Sequence, residues 1–174
     1  MCVIIINRRD TLSRNILRQA SAYNPDGAGM MWYSDHLNIY KNLNNDKVIK
    51  EYYNLRKKFN GTIVLHFRFA THGRIDVANT QPIAVNENTA IVHNGIIAGY
   101  GNRKFSDTYM FAKDIDVNRL EDMNYLQYLQ SIINGSRLVI MNKNKIIILN
   151  RHLFYELGDS LYSNLYFLTW NKYF

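Results

Sequence analysis

The chain has 174 residues, 47% of them apolar and 13% aromatic, which is enough for a real core and too hydrophobic for a disordered segment. A net charge of +7 is spread over scattered Lys and Arg; it reads first as a solvated basic surface and leaves a nucleic-acid partner open. The single cysteine excludes a disulfide framework and a multi-cysteine metal site, and no apolar run approaches the ~20 residues of a membrane span.

No basic stretch precedes the apolar N-terminal run, so no signal peptide is expected. The expectation is one cytoplasmic domain, residues 1–174, with no cofactor, no metal and no membrane attachment.

In chain order, Cys2-Val3-Ile4-Ile5-Ile6 is a β-branched run and predicts a central strand. Asp10 or Thr11 is placed to cap a helix carrying Leu12, Ile16, Leu17 and Ala20 on one face. Asn24-Pro25-Asp26-Gly27-Ala28-Gly29 is a dense turn cluster. Two strands, 30–33 and 37–40, follow around a turn at 34–36. A polar helix is predicted from Asp46 to about Lys58, with Asn60-Gly61 ending it through a left-handed glycine. Ile63-Val64-Leu65 reads as a buried strand, and 83–85 and 90–92 as two more.

Ser106 or Asp107 caps a helix containing Tyr109, Met110 and Phe111. A longer helix is expected from Asn118 to Ile133, stopped by Asn134-Gly135. Residues 138–141 and 146–149 make a hairpin around 142–145, and the tail from Leu161 to Trp170 is expected as strand. Strands and helices come in blocks and do not alternate strictly, which argues for an α+β layered fold.

The stretch from His66 to Pro82 is unusual because a buried strand opens into Arg68-Phe69-Ala70-Thr71-His72-Gly73. Polar groups where a strand leaves the core are a common way to build a small-molecule site. Cys2 is the candidate nucleophile. If Met1 is removed, the free α-amine of Cys2 has a pKa of about 8, beside a thiol at about 8.5, so one residue carries nucleophile and base. Asn94 and Gly95 are candidate oxyanion donors. Arg68 offers a planar fork for a carboxylate, with Thr71 and His72 beside it, and Asp107 offers a partner for an ammonium group. A nucleophile, oxyanion donors, a carboxylate clamp and an ammonium partner together describe an α-amino acid with a distal amide, that is, glutamine.

Met-Cys at the start, Pro25-Asp26-Gly27-Ala28-Gly29, His66-x-Arg68-x-Ala70-Thr71-His72-Gly73, Asn79-x-Gln81-Pro82, His93-Asn94-Gly95 and Ser106-Asp107-Thr108 occur in the order of the class II glutamine amidotransferases, a family that the sequence resembles over residues 2–108. The similarity to the glutaminase domain of glucosamine-6-phosphate synthase is close across Ala70–Gly73 and His93–Ile97, and the Asn-Pro-Asp-Gly turn is similar to that of small single-domain members. The resemblance implies a four-layer αββα sandwich of the N-terminal-nucleophile hydrolase type.

It also implies roles: Cys2 as nucleophile, Asn94 and Gly95 as the oxyanion hole, Arg68, Thr71 and His72 on the glutamine carboxylate, and Asp107 on its amine. The implied reaction is hydrolysis of glutamine through a γ-glutamyl thioester, with ammonia passed to an acceptor protein on a separate chain. Hydrolysis of another γ-glutamyl amide, and a catalytically idle binding module, are the competing readings. Many family members carry Arg-Gly before the turn; here Tyr23-Asn24 stands there, which leaves open how the nucleophile is buttressed.

Overall fold

The computed structural model describes residues 2–143 and 145–168. In chain order these form β1 (Val3–Asn7), α1 (Arg14–Tyr23), β2 (Ala28–Tyr33), β3 (Leu37–Asn42), α2 (Asn45–Arg56), β4 (Ile63–Phe67), β5 (Ile83–Asn86), β6 (Thr89–Asn94), α3 (Asp107–Phe111), α4 (Met123–Ile132), β7 (Arg137–Asn142), β8 (Lys145–Leu149), β9 (Tyr155–Leu157) and β10 (Ser160–Tyr162).

Two antiparallel sheets result, one of six strands in the order β3-β2-β4-β1-β10-β9 and one of four in the order β5-β6-β7-β8. The alternation of side chains along each strand distributes the apolar residues over three cores. Ile4, Ile6, Met31 and Val64 of the first sheet meet Ala90, Val92, Val139 and Met141 of the second. Their neighbours Val3, Ile5, Met30, Leu65 and Phe67 face away, onto Leu17 and Ala20 of α1 and Val48, Tyr52 and Leu55 of α2. On the far side, Ile91, Leu138 and Ile140 pack against Phe111 of α3 and Tyr125 and Leu129 of α4. The order helix, sheet, sheet, helix is the αββα sandwich expected.

Because both faces of β1, β4, β6 and β7 are covered, these strands read as unbroken apolar runs. Each fully buried Leu, Ile, Val or Phe contributes ~1.5–3 kcal/mol relative to exposure.

Several boundaries differ from expectation. Ser13, not Asp10 or Thr11, caps α1 by accepting from the Ile16 N–H. Asn44 caps α2 ahead of Asp46. α2 ends at Arg56, and Gly61 is not left-handed. Its missing side chain instead leaves room for the Phe59 ring, while Arg56 Nη1 donates to the carbonyls of Phe59 and Gly61. The helix expected over 118–133 is divided. Asp116 caps a 3-10 turn at Val117–Arg119, and Asp122 caps α4. Asn134 and Gly135, both at positive φ, do stop α4.

The tail is strand only over Ser160–Tyr162, and residues 166–168 form a 3-10 turn. Met1, Asn144 and residues 169–170 lie outside the described residues.

Candidate active site

Strand ends converge at one edge of the sandwich. Antiparallel pairing sets Val3 beside Phe67, which places Cys2 at the point where β4 runs into Arg68 and Phe69. β10 lies on the other side of β1, with Ile5 opposite Tyr162, so residues 163–164 reach the same edge. The end of β6 brings Asn94 and Gly95, and the first turn of α3 brings Asp107.

A small cavity of about 30 Å³ is lined by Cys2, Arg68, Thr71, His72, Gly95 and Asp107, with Phe69, Gln81, His93 and Thr108 completing its wall. Six of the seven residues singled out in the sequence therefore share one cavity, and Asn94 lies immediately behind it.

Cys2 is half-buried. Burial pushes its thiol above the ordinary cysteine value, and the Phe69 backbone N–H and the Arg68 charge pull the other way. That N–H donates to Sγ at 3.3 Å and is poised to stabilise a thiolate. The remaining anchors of Cys2 come from far along the chain. Asn164 Nδ2 donates to the Cys2 carbonyl at 2.7 Å. Ser163 Oγ accepts from the Ile4 N–H at 2.8 Å and from Asn94 Nδ2 at 2.7 Å. These supply a buttress from the β10 end. Asn24, which stands in the place of the usual Gly, is committed to the C-terminus of α1 and to Asn45.

Arg68 is almost fully buried, 3% exposed. Nη1 donates to the Arg74 carbonyl and Nη2 to the His72 carbonyl, each at 3.0 Å. The guanidinium thus braces the 72–74 loop and keeps further N–H groups for a ligand. The Asp26–Gly27 turn holds this region from below. Arg68 N–H donates to the Gly27 carbonyl at 2.8 Å, and Ala70 N–H to Asp26 Oδ2 at 2.8 Å. Thr71 and His72 are exposed at the rim, their side chains 3.3 Å apart.

Gly95 sits at φ +147°, and any Cβ there would run into the Ser136 side chain, so only glycine fits. Asp107 is the first residue of α3, and Ser106 is its cap. Asp107 Oδ2 accepts from the Ile97 N–H at 2.9 Å and Oδ1 from the Thr108 N–H at 2.7 Å. The carboxylate therefore fixes the loop after Gly95 as well as facing the cavity. Asn79 and Gln81 support the site from their loop. Asn79 Oδ1 accepts from the Ser106 N–H at 2.7 Å, and Gln81 bridges the His93 N–H and the Thr108 hydroxyl.

Two buried histidines flank the site. His66 is fully buried, and no hydrogen-bond partner reaches either ring nitrogen among the described residues. Burial, reinforced by Arg68 and His93, pushes it down to about 3. Burial also holds His93 down to about 4, against the pull of Asp107. Both are neutral at physiological pH. Among the described residues no cluster of His, Cys, Asp or Glu forms a metal site, and no helix is long and apolar enough to cross a membrane.

No protein-family model matches the chain. Curated proteins do. Over 98 residues, 52% of this chain, it is 33% identical to the glutamine–fructose-6-phosphate aminotransferase (isomerizing) of Thermotoga maritima, covering 16% of that protein. Over 115 residues, 60% of this chain, it is 33% identical to the Helicobacter pylori protein of the same name, covering 18% of it. Over 139 residues, 69% of this chain, it is 30% identical to the Francisella tularensis one, covering 22%. The chain thus spans 16–22% of the length of these relatives.

Among solved structures, the glutamine phosphoribosylpyrophosphate amidotransferase of B. subtilis superposes with a TM-score of 0.60 at 18% identity, over 93% of this chain and 41% of that one. A glutamine aminotransferase class-II domain protein from Silicibacter pomeroyi superposes at 0.50 with 9% identity, over 93% of this chain and 87% of that one.

Proposed function

We propose that the chain is a class II glutamine amidotransferase domain, carrying the fold of its solved neighbours, and that it hydrolyses the side-chain amide of glutamine and delivers the ammonia to an acceptor domain or partner protein. The observation that carries this reading is the single cavity shared by Cys2, Arg68, Thr71, His72, Gly95 and Asp107.

In this reading residues 1–174 act as one unit and Met1 is removed, so that the Cys2 α-amine takes the thiol proton. Sγ attacks the amide carbon, and the oxyanion forms against the Gly95 N–H and the Asn94 amide. The tetrahedral adduct collapses as the ammonium proton donor returns its proton to the leaving nitrogen. Ammonia departs and a γ-glutamyl thioester remains on Cys2. Water then attacks the thioester, releasing glutamate and the thiol. Arg68, with Thr71 and His72, holds the α-carboxylate, and Asp107 holds the α-ammonium group.

Two rearrangements complete the site. Among the described residues Asn94 Oδ1 is buried without a partner, while Nδ2 donates to Ser163 Oγ. A half-turn of that amide would let the Ser163 hydroxyl donate to Oδ1 and release Nδ2 from Ser163, free to donate an N–H to the oxyanion. The cavity, at about 30 Å³, has room for a water or two rather than an amino acid. Glutamine entry therefore moves the 69–76 loop outward, and its carboxylate then takes up the N–H groups that Arg68 has to spare.

The test is glutamate release from glutamine by the purified chain, with intact mass establishing that Met1 is gone. Turnover that disappears in Cys2→Ala supports the proposal. Turnover that survives Cys2→Ala, or an amine-blocked Cys2 with full activity, defeats the mechanism.

A further inference from the structure

A second, larger cavity of about 570 Å³ lies in the groove between α1 and α2, on the outer helical layer. The two helices are antiparallel. Leu12, just before α1, exchanges hydrogen bonds with Tyr52 and Tyr53 near the end of α2, and Asn45, at the start of α2, bonds to Ser21 and Asn24 at the end of α1. The groove is lined by Arg14, Arg18, Lys50, Arg56 and Lys57 against one acid, Asp46.

The ion pairs of the described residues engage Arg8, Arg119, Lys145 and Arg151. Arg14, Arg18, Lys50 and Lys57 have no carboxylate within ion-pair distance among those residues.

This arrangement is electrostatically costly on its own. Arg14 opens α1, whose first turn holds no acid, so a cation stands at the positive end of the helix dipole. Arg18 lies one turn further on the same face, and like charges at that spacing repel. Lys50 and Lys57 lie along the facing side of α2, and Arg56 adds its charge from behind. An anion in the groove offsets these repulsions with its own attraction to each cation and to the helix dipole.

We propose that this groove binds a nucleoside di- or triphosphate. Guanidinium forks suit phosphate oxygens, and a phosphate monoester carries only about −1.5 to −2, so the excess of cations over Asp46 matches two or three phosphates better than one. Ile49 and the Tyr53 ring, whose hydroxyl is tied to the Leu12 carbonyl at 2.9 Å, add apolar wall to the groove, with the Arg14 guanidinium over the ring 5.6 Å from its centroid; a base would stack against that guanidinium or displace it. The volume is that of a site for one small ligand; a nucleic-acid strand needs an extended track.

The site is separate from the chemistry. Arg56 bonds to Asn7 at the far end of β1, about 17 Å along the strand from Cys2.

Calorimetric titration of the full chain with ATP, ADP, AMP, inorganic phosphate and an oligothymidylate tests the proposal. One equivalent of ATP or ADP should bind, AMP and inorganic phosphate at least ~10-fold more weakly, and the double variant Arg18→Glu/Lys50→Glu should lose at least ~10-fold in affinity for ATP. Both side chains are exposed, so folding and glutamate release without nucleotide should be unchanged. The site is refuted if nucleotide does not bind at millimolar concentration, if the double variant binds as well, or if inorganic phosphate binds equally. Tighter binding of the oligothymidylate than of ATP, with a steep loss in salt, would overturn it in favour of a nucleic-acid surface.

Discussion

Asn164 holds the carbonyl of Cys2 through its side-chain Nδ2 at 2.7 Å, across 162 positions of sequence. In the proposed mechanism both the side chain and the backbone amine of Cys2 react, which leaves the carbonyl as the group by which the residue can be anchored, and Asn164 holds it.

Asn164→Ala should therefore lower kcat for glutamine by one to two orders of magnitude, about 1–3 kcal/mol for a buried carbonyl left unpaired. Asn164→Asp, isosteric but with no donor at neutral pH, should be as poor, and Asn164→Gln should recover part of the loss. Steady-state kinetics on the three variants checks this. Equal kcat across them, with only thermal stability changed, would make Asn164 a packing residue.

Arg68 braces the 72–74 loop with two N–H groups and, in the proposed site, offers the remaining ones to the glutamine carboxylate. Arg68→Lys gives up the paired bonds to the His72 and Arg74 carbonyls as well as the fork for a carboxylate, because an ammonium cannot reproduce that planar geometry. The glutamine KM should rise at least tenfold, at ~1.5–3 kcal/mol for a lost hydrogen bond to a charged group. Limited proteolysis should show faster cleavage within 69–76. An unchanged KM would remove Arg68 from the carboxylate site.

The residues that share the cavity were legible in the sequence where a short stretch has residue types that conflict with its position. Arg68 follows a buried strand, Gly95 follows the apolar run of β6, and Cys2 stands second in the chain. The layers were legible because strands covered on both faces show as unbroken apolar runs. Ser163 and Asn164 were not legible, since nothing local distinguishes a Ser-Asn pair that ends a short strand from a surface turn; their partners Ile4 and Cys2 are 159 and 162 positions away.

The cap errors have a simpler source. Asp10, Thr11 and Ser13, like Asn44 and Asp46, are all competent caps, and tertiary bonds choose among them. Asp10, for instance, has its backbone N–H held by Asp159 Oδ2 and its carbonyl by Asn7 Nδ2, which fixes its backbone ahead of the helix. The division of the 118–133 helix follows from two capping aspartates, six residues apart, each starting its own turn.

Gly95→Ala puts a side chain at φ +147° and into Ser136. The backbone strain alone is ~1–3 kcal/mol, and relief of it would swing away the N–H proposed to meet the oxyanion. Activity should fall below ~1% of wild type, with a thermal midpoint lower by several degrees. Adding Ser136→Gly should restore part of the midpoint, because it removes the clash, and little of the activity, because φ stays unfavourable. Recovery of activity in the double variant would show that packing alone matters at Gly95.

The buried histidines set the acid limit of the fold. His66 and His93 have native values near 3 and 4, below the ~6.5 of an unfolded chain. Between those values the unfolded state binds more protons than the native one, so stability rises with pH and is lost as pH falls. The loss begins below about 6.5 and continues to about 4 for His93 and about 3 for His66, at up to ~1.4 kcal/mol per pH unit for each.

Denaturant melts of the full chain from pH 7.5 to 4 should show this slope. In His66→Gln, which cannot titrate, the slope between pH 6 and 4 should be roughly halved, whatever the variant costs at pH 7.5. A variant with the wild-type slope would mean that His66 is protonated in the native protein, and that its buried ring has found an acceptor.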